Sequence, residues 1–162
     1  MLALLAAQAD AKTVDLGDGF VRVVTPAYSV ELPKDWKLSA ETPWGARKAT
    51  GPTAKGEMGT MTAGPTLASW ESLVRTSLGF ILREEKGKPT PYEVSRTEQG
   101  YEACSFSVLN ASGFAARRYV LLRAPSGRVL ALNVKIGDPR EEKRLSGAFA
   151  RMVRTAKLVE PR

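Results

Sequence analysis

Few side chains in this chain of 162 residues are of types that do chemistry. Histidine is absent, which removes the commonest general base and the commonest transition-metal ligand. The lone cysteine, Cys104, can close no intramolecular disulfide and build no Cys-rich zinc site. It lies between Glu102 and Phe106 in an alternating segment, the setting of a buried strand residue. The basic partner that usually activates a thiolate nucleophile is missing. The carboxylate pairs Glu84-Glu85 and Glu141-Glu142 fall in helical sequence, where such pairs are mostly solvated. Acid at the start of the second helix also compensates the helix dipole. No G-x-S-x-G elbow, Walker-type lysine loop, dinucleotide fingerprint or EF-hand occurs. The expectation is therefore a protein that is not an enzyme and carries no metal and no cofactor.

Binding chemistry has more to work with. Arg117, Tyr119, Leu121 and Arg123 share one face of a strand, with Arg118 on the other. Arginine alternating with tyrosine can hold single-stranded nucleic acid by charge and stacking. The competing reading is a strand face carrying long side chains over a helix edge. It is favoured, because one aromatic is too few for a stacking platform. Trp36 and Trp44 flank residues 38–43 and could serve as interface anchors, or could plug the open end of a sheet. The candidate binding residues are thus Trp36, Trp44, Arg117, Tyr119 and Arg123; Trp70 belongs to the core by its place in a helical stripe.

The elements that must position these residues belong to one domain. Its 43% hydrophobic and 25% charged residues suit a packed core at an ordinary single-domain size. The net charge of +7, from 24 basic and 17 acidic residues, is scattered and contains no block of five like charges. Solubility alone accounts for such a charge, and attraction to an anionic partner is the alternative. No apolar run approaches the ~20 residues needed to span a bilayer. Met1 to Ala11 holds a short apolar stretch followed by two A-x-A sites, Ala7-Gln8-Ala9 and Ala9-Asp10-Ala11, as at the end of a secretory signal. No basic residue precedes it, so the range 1–18 reads as a truncated signal peptide and flexible N-terminus, with the domain over 19–162. The expected location is extracytoplasmic, periplasmic or secreted, with the cytoplasm as alternative. No cysteine near the site offers a lipid anchor.

Along the chain, Phe20 to Val24 and Tyr28 to Leu32 alternate as strands. Gly45 to Thr50 and Glu57 to Ala63 form a weaker hairpin with a loose connection. Leu67, Trp70, Val74, Leu78 and Ile81 make one face of a helix over residues 67–86. Thr66 is its candidate N-cap, Gly87 its stop, and Gly79 inside it marks a close approach to the sheet. Strands follow at Tyr92 to Thr97, Tyr101 to Leu109, Phe114 to Arg123 and Arg128 to Ile136, with links too short for crossover helices. A last helix opens on Asp138 as N-cap, Pro139 as first residue and Glu141 completing a capping box. Leu145, Phe149, Met152, Val153 and Ala156 are its buried stripe, with Arg144, Arg151 and Arg154 outside. The fold class is α+β, in the order ββββ-α-ββββ-α.

The segment Tyr28-Ser29-Val30-Glu31-Leu32-Pro33-Lys34-Asp35-Trp36 resembles the opening motif of the PsbP-like superfamily. The element order extends the resemblance over residues 20 to 160. That resemblance implies an α/β/α sandwich around a central antiparallel sheet. It also implies a non-catalytic binding or accessory role through contacts with an as yet unidentified protein partner, as a monomer or weak dimer. The alternative is a cytoplasmic protein binding an anionic partner, acidic protein or nucleic acid, through the basic strand face, with nucleic acid disfavoured. No position matches the metal-linked residues of the photosynthetic member.

Overall fold

The computed structural model describes residues 11–42, 46–62, 69–84 and 87–159. Strands β1 (Lys12–Asp15), β2 (Phe20–Val24) and β3 (Tyr28–Pro33) open the chain, followed by β4 (Lys37–Leu38), β5 (Ala46–Thr50) and β6 (Ala54–Thr62). Helix α1 (Trp70–Glu84) leads to β7 (Lys88–Pro89), β8 (Glu93–Arg96), β9 (Glu102–Leu109), β10 (Ala115–Arg123) and β11 (Arg128–Ile136). Helix α2 (Glu142–Thr155) and β12 (Lys157–Leu158) close it. The class is α+β with antiparallel pairing throughout, as expected. The strands divide between two sheets, one ordered β1-β2-β3-β12 and one ordered β4-β5-β6-β11-β10-β9-β7, with β8 also on β9.

β11 lies inside the large sheet; one face is buried along its length and the other is buried at Val129 and half-buried beyond it. Leu130, Leu132, Val134 and Ile136 enter a core shared with the small sheet and α2. Val129 and Ala131 face the second core, where Leu73, Val74 and Leu78 of α1 cover Cys104, Phe106, Tyr119 and Leu121. The layers are therefore α1, the large sheet, and then α2 with the small sheet. Burying each such leucine is worth about 1.5–3 kcal/mol, so the two faces of β11 tie the layers together.

Several local expectations are corrected. Lys12–Asp15, counted with the N-terminal segment, is a strand paired with β2; the A-x-A sites at residues 7–9 and 9–11 fall largely outside the described residues. The β5–β6 connection is a tight one over residues 51–53, closed by Gly51 N–H on the Ala54 carbonyl at 2.9 Å. α1 is capped by Ser69, whose Oγ accepts from Ser72 N–H at 3.2 Å, and Thr66 lies outside the described residues. A Cβ on Gly79 would meet nothing within 4 Å, so this glycine does not mark a close approach.

α2 begins after a 3-10 turn at Pro139–Glu141, with Asp138 accepting from Arg140 N–H at 3.0 Å. Glu141 pairs with Arg144 instead of returning to Asp138, so no capping box forms. Before β8, Pro91 supplies no N–H for the ladder, and the contact to β9 there runs through Thr90, whose N–H donates to the Ser107 carbonyl at 2.9 Å and whose hydroxyl accepts from Ser107 N–H at 3.0 Å. The edge beside β9 is thereby split into β7 and β8.

Arg151 is not an outward residue. Its Nε lies 2.8 Å from Glu31 Oε2 and its Nη1 lies 2.8 Å from Asp18. Its guanidinium sits 3.9 Å above the Phe20 ring. Arg22 holds the other Glu31 oxygen at 2.7 Å. Burial alone would raise the Glu31 carboxyl, but hydrogen bonds from Arg22 and Arg151 outweigh it and hold the group below its ordinary range. This cluster clamps α2 to β3.

Candidate functional site

The candidate residues separate onto different parts of the molecule. Trp36 is a core side chain, 7% exposed. It stands over two glycines: a Cβ on Gly51 would lie 2.5 Å from its Nε1, and one on Gly56 2.8 Å from its Cζ3. Small residues leave the room that the indole fills, and Trp36 offers no open face to a partner. Trp44 lies outside the described residues.

Arg117, Tyr119 and Arg123 share the face of β10 toward α1. The Tyr119 ring stacks on Phe106, with centroids 5.0 Å apart and planes 2° from parallel, and its hydroxyl accepts from Arg117 at 3.1 Å. Arg123 binds Glu102 at 2.5 Å and lies 4.2 Å above Trp70. A tyrosine already stacked and buried cannot also stack a base. At its Arg123 end this face meets Trp70 of α1.

Cys104 is fully buried, and that burial pushes its thiol up to about 11, well away from a nucleophile at neutral pH. Tyr28 is likewise pushed up to about 12 by burial. Among the described residues, no group of three or more Cys, Asp or Glu side chains gathers to hold a metal ion.

The other face of β10 carries what the sequence did not single out. Arg118 and Val120 point toward α2. With Phe149, Ala150 and Val153 they form an apolar-floored groove of about 460 Å³ between α2 and the β8–β9 turn. Arg96, Arg118 and Arg154 stand at its margins beside Glu98 and Gln99. Gln99 donates to the Arg154 carbonyl and so ties the turn to the end of α2. Arg118 binds Glu142 at 2.5 Å, yet its Nε is buried with no hydrogen-bond partner. A buried donor left unsatisfied costs free energy. Arg118 and Arg154 were visible in the sequence only as residues on the far side of a strand and a helix. Their convergence with Arg96 depends on how α2 lies across the sheet.

No protein-family model and no curated protein matches the sequence. Among solved structures, the chain is similar to the solution structure of cyanobacterial PsbP (CyanoP) from Synechocystis, with a TM-score of 0.57 at 10% identity over 98% of each chain. It is also similar to the crystal structure of the Ran-binding protein Mog1p of Saccharomyces cerevisiae, with a TM-score of 0.52 at 12% identity over 93% of this chain and 96% of that one. The architecture is the PsbP-like fold, as the Tyr28 to Trp36 motif suggested. At these identities the likeness is one of fold.

Proposed function

We propose that this chain is a non-catalytic binding or accessory module that works through protein–protein contacts, with the groove beneath α2 as its docking site. The observation that carries the reading is an apolar floor of Val120, Phe149, Ala150 and Val153 with three arginines at its margin. Such a groove suits a partner segment that inserts an apolar side chain and presents carboxylates to the rim. The Ran-binding activity stated for Mog1p, a protein of the same fold, supports a role in protein recognition. The inaccessible cysteine and the lack of histidine argue against acid–base or nucleophilic chemistry.

The test places a photo-crosslinking side chain at Ala150 in the full chain, expressed in its native host, with Lys12 on the small sheet as control. A discrete cross-linked species from position 150 alone, removed by Arg118→Glu, is the expected result. Equal labelling from both positions, or labelling indifferent to Arg118→Glu, would rule the groove out as the docking site. The A-x-A sites support export as part of the same proposal. A mature protein beginning near Asp10 or Lys12 in an extracytoplasmic fraction is expected, and an intact Met1 in the cytoplasm would overturn it.

A further inference from the structure

On the opposite side of the large sheet, the edge beside α1 combines three features. The first is an open strand. β8 pairs with β9 in the register Glu93↔Ser105, Val94↔Cys104, Ser95↔Ala103, Arg96↔Glu102, and all four of its residues are exposed. Among the described residues, no strand pairs with its outer side. Alternate residues of an edge strand turn N–H and C=O groups outward, where another chain can bond them.

The second feature is apolar exposure at that edge. Val94 is 52% exposed and Tyr92 is 42% exposed. Both belong to the face of the sheet that α1 covers, because Val94 stands opposite Cys104 of the α1-side core. The usual protection of an edge places charge or proline where a neighbour would pair. Here Pro91 precedes the strand and Glu93 and Arg96 close its two ends, while Val94 between them leaves an apolar position open.

The third feature is a second groove, of about 450 Å³, running between α1 and this edge. It is lined by Val74, Leu78, Gly79 and Tyr92, with Glu71 and Arg75 at its rim. Those two charges bind one another at 2.6 Å along the helix, so the rim is internally neutralised and the lining is chiefly apolar. Gly79 opens the groove. A glycine within a helix weakens it relative to alanine, and no contact in the core requires one here. The effect of the missing Cβ is room on the outer flank of α1.

We infer that β8 is a strand-addition site, which takes an extended peptide segment of a partner protein as a further strand of the large sheet. The backbone of β8 supplies the hydrogen bonds. Alternate apolar side chains of the added strand lie over Val94 and in the groove against Val74, Leu78 and Tyr92. This is the division of labour in strand-addition recognition, with the main chain giving affinity and side-chain pockets giving sequence preference. Period-two alternation is required of the occupant, because only every second side chain of a strand reaches the α1 side. A helix laid on the edge would leave the outward N–H and C=O groups of β8 unpaired. The groove beneath α2 lies mainly on the other face of the sheet and shares Arg96, at the end of β8, with this site.

The test uses the full chain and a short acetylated peptide that alternates isoleucine with lysine. Its control is a peptide of the same composition with the isoleucines contiguous. Saturation with the alternating peptide is expected to slow amide hydrogen exchange at residues 93–96 by roughly ten-fold or more. Gly79→Leu, which fills the groove, is expected to weaken binding about ten-fold or more while the melting temperature rises by roughly 2–4 °C, since leucine is the better helix former. Val94→Lys, which changes the strand and leaves the helix intact, should also weaken it. Arg118→Glu should leave peptide binding unchanged. Absence of β8 protection at millimolar peptide, equal binding of the contiguous control, or full affinity in Gly79→Leu would each overturn the inference.

Discussion

Gly56→Ala, made alone and in a Trp36→Ala background, tests whether the indole is a core element seated on glycine. The added Cβ would come within 2.8 Å of Trp36 Cζ3 and 3.4 Å of the Asn133 carbonyl oxygen. Carbon atoms pack at about 3.5–4.0 Å, so the ring must retreat by roughly 1 Å. It has little freedom to do so, being 7% exposed and held at its other end over Gly51. Overpacking of this kind costs about 1–3 kcal/mol. Replacing a strand glycine by alanine returns about 0.5–1 kcal/mol. The net loss is about 1–2 kcal/mol, or roughly 2–8 °C in Tm for a chain of this size. Trp36→Ala alone should cost about 3–5 kcal/mol. With the ring gone the methyl group has space, and Gly56→Ala should then be neutral or mildly stabilising. A coupling energy of about 1–3 kcal/mol from urea unfolding of the four proteins is the expected reading. Equal costs of Gly56→Ala in both backgrounds would refute the account of Trp36 as a side chain packed over that glycine.

Glu31→Gln should lower stability at neutral pH by about 1–3 kcal/mol, since the carboxylate is buried between Arg22 and Arg151. The folded carboxyl titrates below its ordinary value of 4.5, so its contribution is present above that pH and fades as pH falls through the depressed folded value. Melting temperatures from pH 7 to pH 3 should show a weaker acid loss in Glu31→Gln than in the parent. Asp138→Ala should cost about 0.5–2 kcal/mol as a lost cap, whereas Glu141→Ala should cost under about 0.5 kcal/mol, since its partner Arg144 lies on an exposed turn. Comparing denaturation midpoints decides between a single cap and a capping box. Cys104, raised to about 11 by burial, should resist a thiol reagent at pH 8 in the folded chain and react fully in denaturant. Rapid native labelling would contradict that burial.

Alternation alone located β9, β10 and β11 within a residue or so. Strand burial has period two, and that signal is local to the chain. The helices were legible for the same reason, through their apolar stripes. The short strands β1, β4, β7 and β12 carry no such signal, because two to four residues are too few to show a period. What makes them strands is the partner that tertiary structure brings alongside, as Lys157–Leu158 meets Tyr28–Ser29 of β3. Caps proved less legible than stripes: Asp138 caps as its type predicts, but the direction taken by Glu141 depends on Arg144.

The lack of histidine, the lone cysteine and the Tyr28 to Trp36 motif were fixed by composition and order, and they pointed to a PsbP-like α+β domain without obvious chemistry. Which surfaces are open was decided only by folding. Trp36 and Tyr119 are aromatic residues suited to an interface, yet packing over Gly56 and stacking on Phe106 consume them. Arg96, Arg118 and Arg154 lie far apart in the chain and meet because α2 crosses the sheet beside the β8–β9 turn. Exposure and convergence are properties of elements packed together, and no local periodicity encodes them.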